Sequence, residues 1–236
     1  MAAGKPSIPQ GMILYAIGDI HGRADLLAAL LRSIASDMVR IGLPDRRLVF
    51  LGDYVDRWPL VPQVLDILLD HLPPGTTATF LRGNHEQMML DFLDDAEAAH
   101  VWVGNGGDTT LEGYGVRWFN DRRTVREDLM RQMPARHRQF LTDTTLNLTV
   151  GDYFFVHAGV RPGVSLDAQA PQDMMWIRNR FLDSKADFGK VVVHGHTITD
   201  APEIRANRIG IDTGAVMTGR LTSLVLHGAE RRFLST

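Results

Sequence analysis

The chain has 236 residues, a formal net charge of -3, 44% hydrophobic and 22% charged residues, and no cysteine. That length and balance fit a soluble globular domain that buries its apolar surface without staples, and the slight negative charge marks neither a nucleic-acid nor an anionic-membrane binder. The lack of cysteine excludes disulfides, thiolate metal sites and a cysteine nucleophile.

Met1 to Gln10, carrying Pro6 and Pro9, lacks the apolar segment of a secretory signal and reads as a loose lead-in to a single domain over 11–236. No apolar run approaches the ~20 residues needed to span a bilayer, so a cytoplasmic protein is expected. Met12 to Ile17 is an apolar strand that stops at Gly18-Asp19-Ile20-His21-Gly22. Leu26, Leu27, Leu30, Leu31, Ile34 and Met38 then recur at helical steps, with Asp25 in the first turn and Gly42-Leu43-Pro44 as the stop. Leu48 to Leu51 is a short buried strand; it ends at Gly52 and leaves Asp53 where strand meets loop. A second amphipathic helix runs over about 61–72 and stops at Pro73-Pro74-Gly75. A third strand, Thr77 to Leu81, leads into Arg82-Gly83-Asn84-His85-Glu86. Three strand–helix units predict parallel strands with right-handed crossovers, which gather the three polar clusters on one rim outside the carboxyl ends of the strands.

The pattern changes over about 86–145, which reads as a helical insertion beside that rim. Its arginines, Arg117 to Arg138, suit either attraction of an acidic phosphosubstrate or a solvated, salt-bridged helix face. Trp102, Trp118 and Tyr114 suit either a groove floor or the core. Leu146 to Val156 reads as two strands turning at Gly151-Asp152, the second ending at His157-Ala158-Gly159. A helix around Trp176 to Leu182 precedes the strand Lys190 to Val193, which ends at His194-Gly195-His196-Thr197. The tail, Glu203 to Leu234, alternates short β runs with turns and predicts a second, largely antiparallel sheet packed on the first.

Asp19, His21, Asp53, Asn84, His157 and His196 all fall at predicted strand ends. Oxygen and imidazole donors without thiolate suit Mn²⁺, Fe or Zn²⁺ and not an all-oxygen Ca²⁺ site. Six donors exceed one tetrahedral zinc and suit two divalent ions roughly 3.5–4 Å apart sharing a carboxylate. Asp53 is the natural bridge, because its strand lies between the other two. Asp19, His21 and Asp53 are assigned to one ion, and Asp53, Asn84, His157 and His196 to the other. Such a pair readies a water for attack on phosphorus. Arg57 and Arg178 are the candidate phosphate clamps, and His85, oriented by Asp56, is the candidate acid for the leaving group. His194, two residues from His196 on an extended segment, points to the opposite face and is assigned to packing or support. Arg82 is assigned a structural ion pair.

These motifs resemble a known family. GDIHG at 18–22, GDYVDR at 52–57, GNHE at 83–86, HAG at 157–159 and GHT at 195–197 are similar to the phosphoprotein phosphatase branch of the calcineurin-like metallophosphoesterases, of the bacterial and phage type. Asn105-Gly106-Gly107 with Thr110-Leu111, Tyr114-Gly115, Trp176-Ile177-Arg178 and Ile211-Asp212-Thr213-Gly214 extend the resemblance from about Ile13 to Leu226. It implies an α/β protein built on a β-sandwich of two mixed sheets flanked by helices. It also implies a dinuclear centre, most often Mn²⁺, and hydrolysis of phosphoserine, phosphothreonine or phosphotyrosine by a metal-bridging hydroxide without a covalent intermediate. Residue by residue it carries over the same six ligands, His85 with Asp56 as the acid, and Arg57 as the phosphate clamp; Arg178 sits in a looser motif. Three departures stand out: Trp58 replaces the glycine that usually follows GDxVDR, position 198 is Ile and not a second histidine ligand, and the eukaryotic C-terminal signature is missing.

The expected substrate is a phosphoprotein or phosphopeptide, with no nucleic-acid or membrane partner and the oligomeric state left open, a monomer being compatible. The alternative is a symmetrical bis(5′-nucleosyl)-tetraphosphatase acting on diadenosine tetraphosphate, a related family sharing these motifs. A non-catalytic binding scaffold is the third reading, and it is disfavoured because Asp56, Arg57 and His85 are all present.

Overall fold

The two-residue period of strands decides the layering. In the computed structural model, which describes residues 4–236, Ile13, Tyr15 and Ile17 of β1 (Met12–Ile17) enter a core beneath helices, while Met12, Leu14 and Ala16 enter a second core between two sheets. β1 pairs in parallel with β2 (Asp45–Phe50), and β2 with β3 (Thr76–Phe80), so the strand bearing Asp53 is the central one of the three. The crossovers are α1 (Ala24–Ile41) and α2 (Val61–Asp70). α1 buries Leu27, Leu30, Leu31, Ile34 and Met38, each worth about 1.5–3 kcal/mol of transfer free energy, as the leucine spacing predicts.

The second sheet contains β4 (Asn147–Val150), β5 (Tyr153–Val156), β6 (Val191–His194), β7 (Glu203–Ile204) and β8 (Arg208–Gly210), in the order β4-β5-β6-β8-β7. β5, β6 and β8 are parallel, and the two edge strands are antiparallel. The tail therefore departs from the expected separate antiparallel sheet. Its last strands, β9 (Thr222–His227) and β10 (Glu230–Ser235), join the first sheet, β9 lying antiparallel to β1. Leu224 and Leu226 face the inter-sheet core and Val225 the helix side, so this run is buried on both faces and occupies an interior position. The result is two mixed sheets flanked by helices.

The insertion comprises α3 (Asn84–Asp94), α4 (Ala99–Trp102), a π-helical bulge at Val103–Gly107, α5 (Asp108–Gly113), α6 (Arg122–Gln132) and α7 (Ala135–Asp143). Arg122 pairs with Glu97 at 2.6 Å, Arg136 with Asp70 and Asp66, and Arg131 with Asp128, so these arginines belong to a salt-bridged helix face. The helix expected around Trp176 is two short ones, α8 (Pro171–Trp176) and α9 (Asn179–Leu182), interrupted at Ile177-Arg178; α10 (Ala215–Thr218) follows later. The lead-in is tied down, against expectation, from Ser7 onward. Ser7 N donates to Asp152 at 2.9 Å, Ile8 N to the Gly228 carbonyl at 3.0 Å, and Ile8 is buried. Residues 1–3 of that lead-in lie outside the described residues. Among the described residues no helix is long and apolar enough to cross a membrane.

Candidate metal centre

The ends of β1, β2, β5 and β6 meet on one rim, and the loops leaving them are bent beyond ordinary backbone geometry. Among the described residues, five other than glycine adopt positive φ, namely His21 (47°), Asp53 (53°), Asp56 (69°), Arg57 (67°) and His196 (61°), and all five are sequence-predicted site residues. Such backbone costs on the order of 1–3 kcal/mol per residue and persists only where its surroundings over-determine it. Here the surroundings are visible. Asp53 O accepts N–H bonds from Ile20 and His21, at 3.0 and 2.8 Å, which locks the first loop to the second. A Cβ on Gly83 would fall 2.1 Å from Asp53 Oδ1, so only glycine lets the third loop close on this carboxylate.

The structure brings the predicted donors together in two groups. Donor atoms of Asp53, His157 and His196 lie within 4.8 Å of one another, as do those of His21, Asp53 and His85, and all are buried. Asn84 joins the first group, its Oδ1 lying 3.0 Å from His157 Nε2. The carboxylate of Asp19 accepts the backbone N–H of His196, a member of the first group, at 3.0 Å, and Asp19 is not in the second. His85 takes the place in that group assigned to Asp19, but its other ring nitrogen is bound to Asp56.

The chemistry of these donors fits cations. His157 Nδ1 and His21 Nδ1 each donate to a carbonyl, of Leu51 and Val55, both at 2.9 Å, so each Nε2 carries a lone pair. His157 Nε2 faces Asn84 Oδ1, and lies 3.5 Å from Asp53 Oδ1. His21 Nε2 and His196 Nε2 are buried with no hydrogen-bond partner among the described residues. Burial pushes His21 down to about 3 and His196 down to about 2, so both rings are neutral at pH 7. Burial by itself raises Asp53, but His157, His85, His21 and His196 outweigh it and hold this carboxyl below its ordinary value. Burial, then the nearby Asp212 and Asp53, push Asp19 well up. Neutral imidazoles and crowded carboxyls turned inward are the donor chemistry that suits a divalent cation.

The acid and clamp residues also converge. His85 Nδ1 lies 2.7 Å from Asp56 Oδ2, and Asp56 is held by Thr110 Oγ1 at 2.6 Å and by Trp102 Nε1 at 3.0 Å. Burial lowers His85, yet the Asp53 and Asp56 carboxylates prevail and hold it above the ordinary imidazole value. Arg57 Nη2 sits 3.1 Å from His85 Nε2, and the backbone N–H of Arg57 donates to the Gly106 carbonyl. Arg178 is exposed at the rim, 3.5 Å from Thr197 Oγ1. His194 faces away, with its ring against Phe181. Arg82 has no carboxylate partner; it anchors Thr142 and Thr144 of the insertion, which corrects the expected ion pair.

Sequence reasoning missed four supporting residues. Trp102 is no groove floor; with Thr110 it orients Asp56, and so the insertion buttresses the acid. Asp212, buried beside Asp19 and pushed up to about 6 by burial, accepts the Gly214 N–H at 2.9 Å. Glu86 accepts N–H bonds from Gly83, Asp53 and Tyr54 at 2.8, 2.8 and 2.7 Å, and burial with the nearby Asp53 pushes it up to about 7. Its spacing from Gly83, three residues into α3, was a readable capping signal. Because Gln turns a donor toward these N–H groups, Glu86→Gln is expected to cost about 2–3 kcal/mol, or about 4–12 °C in Tm. A thermal melt matching the wild type would show that this carboxylate does not organise the loop.

A family model described as calcineurin-like phosphoesterase matches residues 12–215. The chain is 28% identical over 221 residues to serine/threonine-protein phosphatase 2 of Escherichia coli K12, covering 89% of this chain and 90% of that protein. It is 29% identical over 230 residues to the asymmetrical bis(5′-nucleosyl)-tetraphosphatase PrpE of Anoxybacillus flavithermus, covering 90% of each. A solved structure provisionally described as a diadenosine tetraphosphatase superposes with a TM-score of 0.67 over 98% of both chains at 19% identity, a likeness of fold. The tetraphosphatase relative is named for the asymmetrical cut, whereas the sequence motifs suggest the symmetrical one.

Proposed function

This chain belongs to the calcineurin-like phosphoesterase family, a family of hydrolases, and on that premise we propose that it removes phosphate from serine, threonine and tyrosine side chains of proteins. The observation that carries this reading is the buried Asp56–His85 pair, set beside the candidate metal donors and fixed by Trp102 and Thr110. A phosphomonoester expels an alkoxide or phenoxide, which needs a proton, whereas a dinucleoside polyphosphate expels a phosphate group that leaves well without one. An oriented acid is therefore most useful to a phosphomonoesterase.

Two Mn²⁺ ions are the proposed cofactors. Asp19, His21 and Asp53 would hold one, and Asp53, Asn84, His157 and His196 the other; bound there, they supply Lewis acidity and acidify a water. The chain's own residues do the rest. Arg57 and Arg178 present guanidinium forks to the non-bridging phosphoryl oxygens. With Arg57 engaged by phosphate, His85 Nε2 is released to carry the proton to the leaving oxygen. Asp56 holds Nδ1–H and keeps Nε2 aimed at that oxygen. The proposed compartment is the cytoplasm, and the proposed partner is a phosphoprotein.

The second reading, a dinucleoside tetraphosphatase, is favoured by the PrpE relative. Side-by-side turnover by manganese-loaded protein of a phosphoserine peptide and diadenosine tetraphosphate separates the two. The phosphopeptide is expected to have the higher kcat/KM, and a strong preference for the dinucleotide overturns the proposal.

A further inference from the structure

Trp58, where the family usually has glycine, follows the phosphate clamp Arg57 directly. Its side chain is 40% exposed, yet it has contacts on two sides. Its carbonyl oxygen lies where a Cβ on Gly22 would fall, 2.2 Å away, so its backbone rests against the residue after His21. The Arg23 guanidinium covers one face of the indole, 5.0 Å from the ring centroid. Arg23 is no spare phosphate ligand. Its Nε and Nη2 donate to Asp25 at 2.9 and 2.7 Å, and its Nη1 donates to the Ala215 carbonyl at 2.9 Å. With the edges of the guanidinium occupied, its flat face is what remains, and that face backs the tryptophan. Ile198, two residues after His196, and Met217, on α10 whose first residue binds Arg23, add exposed apolar side chains on neighbouring segments.

We propose that Trp58 is a specificity-determining platform that stacks the ring of an aryl phosphomonoester, the side chain of phosphotyrosine, while Arg57 grips its phosphate. Trp58 follows Arg57 directly and its backbone packs on Gly22, the residue after the candidate donor His21, so the platform stands at the rim of the site. In phosphotyrosine the ring is bonded directly to the ester oxygen. Phosphoserine offers no ring, and in a dinucleoside polyphosphate a ribose separates each base from its phosphate. A pre-fixed indole loses little freedom on stacking, which favours the aryl ester.

The inference rests on the phosphomonoesterase reading, and its test separates the two. Manganese-loaded wild type, Trp58→Ala and Trp58→Phe are assayed on phosphotyrosine and phosphoserine peptides with identical flanking sequences. The ratio of kcat/KM for phosphotyrosine to that for phosphoserine is expected to fall about 3- to 10-fold in Trp58→Ala, mainly through KM, and to be largely retained in Trp58→Phe. An unchanged ratio in Trp58→Ala, or one that Trp58→Phe does not retain, overturns the platform. Calorimetric binding of phenylphosphonate and methylphosphonate reads the same preference without turnover. If neither peptide is hydrolysed, the phosphomonoesterase reading fails by itself; a preference for phenylphosphonate that persists in Trp58→Ala overturns the stacking.

Discussion

Asp53→Asn is expected to lower turnover by at least about 10³-fold, because on the proposed assignment this carboxylate bridges both ions and several kcal/mol of charge stabilisation depend on them. Metal content should fall from two ions per chain, with both weakened together. The fold itself should survive. The backbone of Asp53 is held by Ile20, His21 and Glu86, and an Asn amide can donate to the lone pair on His21 Nε2 or His157 Nε2. The metal-free variant should therefore melt no lower than metal-free wild type, while losing the stabilisation that Mn²⁺ confers. Two ions retained at wild-type affinity would rule out the bridge.

The second large effect is on the leaving group. His85→Asn should cut turnover of a phosphoserine peptide by roughly 10²–10⁴ and that of p-nitrophenyl phosphate far less, because nitrophenolate departs without a proton. The pH dependence carries a definite sign. An acid must be protonated to act, and the Asp53 and Asp56 carboxylates hold the His85 proton above the ordinary imidazole range. Wild-type activity on phosphoserine should fall as pH rises through that raised value, and this alkaline limb should vanish in His85→Asn. Asp56→Asn should shift the limb to lower pH, since it removes the negative charge at Nδ1. Equal losses on both substrates would argue against an acid role.

The candidate site was legible for a physical reason. Each polar cluster directly follows an apolar run, and parallel strands deliver such ends to one rim, so Asp19, Asp53, Asn84, His157 and His196 could be grouped before any contact was known. The supports were not legible in the same way. Trp102 and Thr110 lie 46 and 54 residues from Asp56, and an indole on an amphipathic segment reads as core whether or not its N–H meets a carboxylate. The tail was misread because β9 pairs with β1 across more than 200 residues, and no local period encodes a partner.

Residue order alone determined the donor types, the parallel three-strand core, the helix stripes and the absence of thiol chemistry, since all of these follow from side-chain chemistry and short-range periodicity. Only the tertiary structure decided which sheet receives the last two strands, that Asp56 is clamped by the insertion, and that Arg23 backs Trp58 at the rim. Those outcomes depend on which distant surfaces bury each other and which polar atoms are then left to be satisfied, a matter settled by the folded chain as a whole.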